Sequence, residues 1–204
     1  EVISESGADQ DLPEGTIEAT PTESNTTAFN GGQLVVVSTD VLDAVIDLRG
    51  GDIVETSLKK FPENIDDPDT PLLLLEKNQL RTYVLQSGLV GPDGIDTPTR
   101  ANYSAPQQRF EFSGTESGQV QLAAIGTPAG VTVTKTFGFS ADSYVITIGY
   151  TIDNGSNLEW QAVPFAQFKR DNSQAPTADT SGFGMQPFLG AATTTADDRF
   201  KKFS

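Results

Sequence analysis

The chain lacks several residue types on which much of protein chemistry depends. Its 204 residues include no histidine, no cysteine, one methionine and one tryptophan, and its 13 basic residues are outnumbered by 28 acidic ones. Without those side chains it cannot form a Cys/His zinc site, a thiol nucleophile, an imidazole base or a disulfide. The formal charge of −15 disfavours nucleic acid as a partner, because that affinity depends on basic side chains that neutralise phosphates. Anionic lipid headgroups would also repel the chain.

Long apolar runs are absent as well. The longest obvious run is Leu72–Leu75, far short of the roughly 18 apolar residues of a membrane-spanning helix. No basic segment precedes an apolar one, and the chain begins at Glu1, so we expect it to be processed or trimmed. The apolar content of 36%, with twelve Phe, is enough for a core, because a chain of this size buries roughly 70% of its unfolded surface.

Residues 1–33 differ in composition from the rest of the chain. They contain seven acidic residues, no basic residue, and a Thr/Ser/Pro/Gly-rich remainder that ends at Gly31-Gly32. So little apolar surface cannot offset the entropy lost on ordering. We therefore predict a disordered acidic linker over residues 1–33 and one folded domain over residues 34–204. That domain has 21 acidic residues (28 less 7) and 13 basic ones, a net charge of −8.

From Leu34 onward, apolar and polar residues alternate with a period of two, which predicts strands with one buried face. Helical periodicity is nearly absent, and polar loops are predicted at Pro62–Thr70 and Ser87–Pro106. The fold class is therefore all-β, with the strands arranged as a twisted antiparallel sandwich. The predicted strands are Leu34–Ser38, Leu42–Arg49, Ile53–Leu58, Pro71–Glu76, Arg81–Gln86, Arg109–Phe112, Gln119–Ile125, Val131–Phe139, Tyr144–Ile152 and Leu158–Phe168.

Turn residues predict how these strands connect. Gly50-Gly51-Asp52 predicts a hairpin, and Asn154-Gly155 predicts another because Asn and Gly accept the positive φ of a type I′ turn. Three consecutive antiparallel strands then fill Val131–Phe168. Pro164 marks the last of them as an edge strand or a bulge, and such an edge is a candidate for pairing with a partner. In the tail, Thr195 and Asp198 predict a short capped helix.

Two acidic loops could hold a hard cation such as calcium. They are Asp66-Asp67-Pro68-Asp69 and Asp93-Gly94-Ile95-Asp96, and flexible loops rich in oxygen ligands suit that ion. Neither has the EF-hand spacing, and solvated loop charge is the more economical interpretation. Glycosidase chemistry needs two carboxylates across a sugar ring, but among 28 acidic residues some pair always lies at a suitable distance. The sequence therefore assigns no metal-binding residue.

Aromatic residues and one lysine are the remaining candidates. The aromatic side chains could stack on sugars or apolar peptide, although Trp160 lies in an apolar strand and is expected in the core. Lys135 breaks the alternation of its strand, and we interpret it as a side chain that reaches solvent from an edge. No catalytic or cofactor-binding residue is assigned, so we expect a protein that is not an enzyme and needs no cofactor. The aromatic candidates are Tyr103, Trp160, Phe165, Phe168 and Phe183.

Several segments, taken in order, resemble one family. Together they are similar to the large periplasmic domain of the YidC-type membrane protein insertases of Gram-negative bacteria, over roughly residues 34–204. The acidic linker also resembles the segment that joins the first transmembrane helix of that family to its periplasmic domain. The matching segments are Thr39–Asp43, Ile46, Arg49–Asp52, Leu58, Phe61-Pro62, Gln86–Leu89, Gly91 with Asp93-Gly94, Lys135–Phe137, Tyr144, Asn154, Phe165–Lys169, Gly190–Ala192, Asp197, Arg199-Phe200 and Lys202.

The resemblance implies a fold and a role. It implies a β-supersandwich similar to galactose mutarotases, and a domain at the periplasmic face of the inner membrane that continues past Ser204. The implied partners are Sec-translocon accessory subunits and nascent membrane proteins. Mutarotase chemistry uses a histidine acid, which this chain lacks, so epimerase activity is not expected.

Three function classes follow. The first is a non-catalytic scaffold or interaction module of an insertase, assisting insertion and folding of inner-membrane proteins with or without the Sec translocon. The second is a carbohydrate-binding or carbohydrate-modifying sandwich. The third is a surface adhesin domain that depends on calcium. We favour the first, because it alone accounts for the order of the matching segments.

Overall fold

The computed structural model describes residues 34–173 and 190–203, and within them the chain is all-β with no helix. None of these residues belongs to a helix that could cross a membrane. The predicted linker over residues 1–33 lies outside the described residues, so it stays a prediction. The strands are β1 (Leu34–Ser38), β2 (Leu42–Asp47), β3 (Asp52–Asn64), β4 (Asp67–Lys77), β5 (Thr82–Val90), β6 (Asn102–Ser104), β7 (Arg109–Glu111), β8 (Ser117–Ile125), β9 (Val131–Ser140), β10 (Thr147–Asn154), β11 (Val163–Arg170), β12 (Ala191–Thr193) and β13 (Lys201–Phe203).

Two sheets form the sandwich. A seven-stranded sheet has the order β11-β5-β4-β3-β2-β1-β7, and a four-stranded sheet has the order β10-β9-β8-β6. The predicted all-β antiparallel sandwich is confirmed, and the pairing of β1 with β7 at the edge of the larger sheet is its one parallel pairing in the described residues. The parallel pairing arises because the chain reaches β7 after crossing to the other sheet for β6.

The period-two pattern buries one face of each sheet against the other. Inward-facing side chains of both sheets form one apolar cluster, which confirms the prediction of a two-layer core. Alternation is clearest in β2 and β9, where every second residue is buried. The fully buried members of the cluster are Val35, Val37, Ala44 and Ile46 from the seven-stranded sheet, and Val120, Leu122 and Phe137 from the four-stranded sheet.

The first predicted hairpin is confirmed, and the loop predicted after it is not. Gly50 and Gly51 have φ values of 83° and 59°, which glycine adopts without steric cost, and β2 pairs with β3 across them. The segment Pro62–Thr70 is mostly strand rather than loop, because β3 and β4 continue as a long exposed ribbon. Solvent reaches both faces of this ribbon, so its polar composition hid the strand pattern.

The second predicted hairpin is wrong. β10 pairs with β9 as expected, but after Asn154-Gly155 the chain crosses to the other sheet, where β11 pairs with β5. Val131–Phe168 is therefore not a three-stranded meander. Asn154 instead uses its side chain to order the crossing, donating from Nδ2 to the Leu158 carbonyl oxygen at 2.9 Å.

Two smaller predictions are also corrected. The predicted loop Ser87–Pro106 contains the end of β5 and all of β6. The predicted tail helix is a β12–β13 hairpin, although Thr195 Oγ1 does accept a bond from the Asp198 N–H at 3.0 Å. The capping contact therefore belongs to a turn between two strands, because a capping pair is equally able to close a tight turn.

Candidate functional site

Four charged side chains meet between the two sheets. We call Asp52, Asp96, Arg100 and Lys135 the charge cluster. Asp52 begins β3, Asp96 and Arg100 belong to the loop after β5, and Lys135 lies in the middle of β9. Asp96 and Lys135 have no exposed surface, and Asp52 and Arg100 are 6% and 5% exposed. Charges this deep are found almost exclusively when they are paired.

Lys135 is fully buried, which corrects the prediction that it reaches solvent. Its Nζ donates to the carbonyl oxygens of Gly50, Gly51 and Ser87 at 3.0, 2.9 and 2.7 Å. Three acceptors match the three protons of an ammonium group. Lys135 therefore occupies an inward, otherwise apolar position of β9 because its ammonium group bonds these carbonyl oxygens. The three bonds connect the four-stranded sheet to the seven-stranded sheet.

Arg100 binds the same turn from the other side. Its Nη2 donates to Asp52, to the Gly50 carbonyl oxygen at 3.1 Å and to the Ser87 carbonyl oxygen at 3.0 Å. Its Nη1 lies 2.9 Å from Asp96 Oδ1. Both cations thus share the Gly50 and Ser87 carbonyl oxygens, and the two carboxylates balance the two positive charges.

Asp96 holds the loop that follows β5. Its Oδ2 accepts the Leu89 N–H at 2.9 Å, and its Oδ1 accepts the Ala101 N–H at 3.2 Å. Asp93 acts separately at the surface, where its Oδ2 accepts the Gln161 N–H at 2.7 Å. The two carboxylates proposed as calcium ligands are thus engaged with different parts of the protein.

Burial dominates the electrostatics of the charge cluster. Desolvation raises the pKa of Asp52, although Arg100 and Lys135 both act to lower it. Desolvation also lowers the pKa of Lys135 to about 7, opposed mainly by the Asp52 carboxylate. The opposite directions are those expected when burial disfavours the charged form of each group.

Aromatic rings surround the lysine. Its Nζ lies 5.9, 5.4 and 5.6 Å from the ring centroids of Tyr103, Phe137 and Tyr150, distances at which the faces of aromatic rings attract a cation. Burial raises the pKa of both tyrosines, which keeps their hydroxyls neutral. The rings therefore shield the charge from water without competing for its protons.

The other residues that the sequence offers as candidates lie at separate positions and do not form a common binding site with the charge cluster. Phe165 lies under Arg100, with Cζ 5.4 Å from the ring centroid. Trp160 is half-buried against a small apolar cluster with Leu89 and Val133, so it lies at the margin of the core, and it precedes β11 instead of lying in a strand. Phe168 is 66% exposed and packs on Tyr83, and Phe183 lies outside the described residues. Asp66, Asp67 and Asp69 are exposed at the end of the β3–β4 ribbon.

The arrangement suits a structural role better than a catalytic one. No charged atom of the cluster is accessible enough to meet a substrate, and the polar groups that it satisfies are backbone carbonyls and amides. Within residues 34–173 and 190–203, no group of three or more acidic side chains is placed to hold a metal ion. A surface feature is therefore the better candidate for interaction.

The exposed side chains of β11 are such a feature. β11 pairs with β5 along its whole length, and no strand in the described parts of the chain pairs with its other side. Apolar side chains are exposed on this strand, Val163 at 59% and Phe168 at 66%. The prediction that Pro164 lies in an edge strand is confirmed, as expected for a residue that cannot donate a ladder bond.

Comparisons with known proteins identify the family of the chain. The family model described as the YidC periplasmic domain matches residues 34–204. The chain is 39% identical over 202 residues to the membrane protein insertase YidC of Pseudomonas putida (strain W619), covering 97% of this chain and 35% of that protein. The corresponding protein of Stutzerimonas stutzeri (strain A1501) is 39% identical over 180 residues, covering 87% and 32%.

A third relative, the membrane protein insertase YidC of Pseudomonas entomophila (strain L48), is 40% identical over 174 residues, covering 84% of this chain and 30% of that protein. The chain thus spans about a third of the length of the curated relatives that it matches. The match to the family model extends from the first residue of β1 through the end of the chain. The chain therefore belongs to the YidC periplasmic domain family.

Proposed function

We propose that this domain is a non-catalytic interaction module of a membrane protein insertase at the periplasmic face of the inner membrane. It acts as a scaffold that contacts translocon accessory subunits and nascent membrane proteins. The observation that carries the proposal is the exposure of two apolar side chains, Val163 and Phe168, on β11, the strand at one end of the seven-stranded sheet in the described residues. Exposed apolar side chains of this kind are typical of surfaces that contact partner proteins.

The charge cluster supports a passive role. Its ionisable groups are buried and bonded to the backbone, so they hold the sandwich rather than transfer protons to a ligand. The surface, in contrast, combines exposed apolar residues on β11 with the acidic ribbon of β3 and β4. A module built in this way binds its partners through its surface and carries out no chemical step on them.

Site-specific photo-crosslinking in a full-length insertase that carries this domain tests the proposal. A crosslinking residue at Val163 is expected to capture a translocon accessory subunit or a nascent membrane protein. The matched control is Ile65, an apolar residue that is 92% exposed at the end of the β3–β4 ribbon. Equal capture from both positions, or no inner-membrane partner from either, would contradict the role proposed for β11.

A further inference from the structure

The outer face of the four-stranded sheet differs in charge from the rest of this acidic protein. On β8, β9 and β10 the residues that alternate with the inward-facing ones are Ser, Thr, Gln, Gly and Ala, apart from Ile125 and Asp153 at strand ends. The outer face of the seven-stranded sheet carries Asp43 and Asp47, which form ion pairs with Lys59 and Lys77. An uncharged polar face in a chain of net charge −15 favours an uncharged partner.

One end of this face contains a depression of about 620 Å³. We call it the hydroxyl bowl. Its floor includes Gly138, and the loop before β10 contributes Ser143 and Val145. None of the residues that line it carries a charge, and the neighbouring Glu116 carboxylate accepts the Ser113 N–H at 3.2 Å instead. Its polar groups are Ser117, Gln119, Ser140, Ser143 and Thr147.

These groups retain bonding capacity toward the bowl. The hydroxyls of Ser117 and Ser140 lie 2.8 Å apart, so one donates to the other and the second proton remains available. Ser143 Oγ accepts the Val145 N–H at 3.1 Å and keeps its own proton. In the described residues, Gln119 and Thr147 have no side-chain hydrogen bond within the protein. The bowl therefore offers several donors and acceptors to one ligand.

The backbone beneath the bowl is already committed. Gly138 pairs with Gln119 on one side and Thr147 on the other, so a peptide lying there could not add a strand by main-chain bonds. A ligand must instead carry its own hydroxyls, together with an apolar surface for Val145. Sugar rings combine both, because their equatorial hydroxyls project outward and their C–H faces are apolar.

We propose that the hydroxyl bowl binds a neutral glycan chain, a binding activity separate from the insertase role. A substitution at Gly138 would displace the Thr147 side chain, since an added Cβ would lie 2.3 Å from Thr147 Oγ1. Recognition is expected to be weak and reversible, because the site is open and its hydrogen bonds replace bonds to water.

The test titrates the ¹⁵N-labelled chain with maltoheptaose and with chitohexaose, and follows backbone amide shifts by NMR. Shifts concentrated at residues 117–119 and 138–147 are expected with at least one glycan at millimolar concentration. Thr147→Val is expected to weaken binding about fivefold through the loss of one hydrogen bond. The matched control is Thr132→Val, the same change at an exposed position at the other end of the sheet, which is expected to leave binding unchanged.

Three results would overturn the proposal. The first is the absence of localised shifts with both glycans. The second is equal weakening by Thr147→Val and Thr132→Val, which would show that the bowl does not hold the ligand. The third is tighter binding of an uncharged Gly/Ser peptide than of either glycan, which would assign the bowl to polypeptide instead.

Discussion

Lys135 Nζ lies 2.9 Å from the carbonyl oxygen of Gly51, so a residue of β9 is bonded to the turn between β2 and β3 in the opposite sheet. This bond and its two neighbours place a positive charge among backbone carbonyls in the middle of an apolar core. A buried charge of this kind stabilises the fold only while its partners remain in place. The charge cluster should therefore dominate the effect of substitutions in this domain.

Replacing the buried lysine should be costly. Lys135→Met leaves the Gly51 carbonyl without its donor, the Gly50 and Ser87 carbonyls with Arg100 alone, and the two carboxylates with one cation. We therefore expect a loss of about 3–5 kcal/mol in the free energy of unfolding. Urea denaturation measures it. The control Lys77→Met alters an exposed lysine whose ion pair spans 3.8 Å and should change stability by less than about 1 kcal/mol. Similar values for both variants would contradict the assigned role.

The same lysine should shape the pH dependence of stability. Its pKa is about 7 in the folded protein and 10.5 when unfolded, so between those values the unfolded chain binds more protons. The contribution of Lys135 to the free energy of unfolding therefore rises with pH through this window, with a slope of up to about 1.4 kcal/mol per pH unit. Urea melts of wild type and Lys135→Met across the window should show it as a widening difference in favour of wild type. A constant difference would show that the lysine stays charged throughout.

The two aspartates of the loop after β5, Asp93 and Asp96, should contribute very different amounts to the free energy of unfolding. Asp96→Ala removes one of the two carboxylate partners of Arg100 and the acceptor for the Leu89 and Ala101 amides, with an expected loss of about 3–5 kcal/mol in the free energy of unfolding. Asp93→Ala removes one exposed acceptor and should cost about 1 kcal/mol. Thermal melts give the two losses, and hydrogen exchange should quicken at the Leu89 amide only in the Asp96 variant. Equal losses would contradict the distinction between these carboxylates.

Substitution of a turn glycine tests how closely the Arg100 side chain packs against the backbone at Gly50. Gly50→Ala forces alanine into the positive φ of this position and places its Cβ 2.6 Å from Arg100 Nε. We therefore expect both backbone strain and displacement of the Arg100 side chain. Gly114→Ala is the matched control, because its φ is +66° and no atom lies within 4 Å of the added Cβ. The control should lose about 1–2 kcal/mol, and Gly50→Ala should lose clearly more by urea denaturation. Equal losses in the free energy of unfolding would show that the Arg100 side chain can move away from the added Cβ without destabilising the fold.

Local patterns predicted much of the fold. The alternation in β2 and β9 predicted which of their faces is buried, and Gly50-Gly51 predicted the turn between β2 and β3. Both features depend only on neighbouring residues, namely on the period of two in a strand and on the positive φ that glycine accepts. The same local rules failed at Asn154-Gly155, where a good hairpin turn precedes a crossing to the other sheet. They also failed at Pro62–Thr70, because a ribbon exposed on both faces has no alternation to detect.

The candidate sites were less predictable. The inward position of Lys135 is the one signal of the charge cluster in the sequence, and the same signal is typical of a lysine that reaches solvent from an edge strand. Arg100 lies in a long loop with no periodicity, so nothing in its neighbourhood indicates that it meets Asp52 across 48 positions. The hydroxyl bowl depends on Ser117 and Thr147 arriving beside Gly138 from two other strands, a placement that only strand register creates.

The amino-acid sequence by itself determined the absence of imidazole and thiol chemistry, the excess of acidic charge and the two-faced character of the strands, because these are properties of composition and of neighbouring residues. Only the tertiary structure decided that β11 joins the sheet opposite β10, that Lys135 is enclosed rather than exposed, and that one sheet face is free of charge near the bowl. Those outcomes depend on contacts between residues far apart along the chain, whose energies no local pattern records.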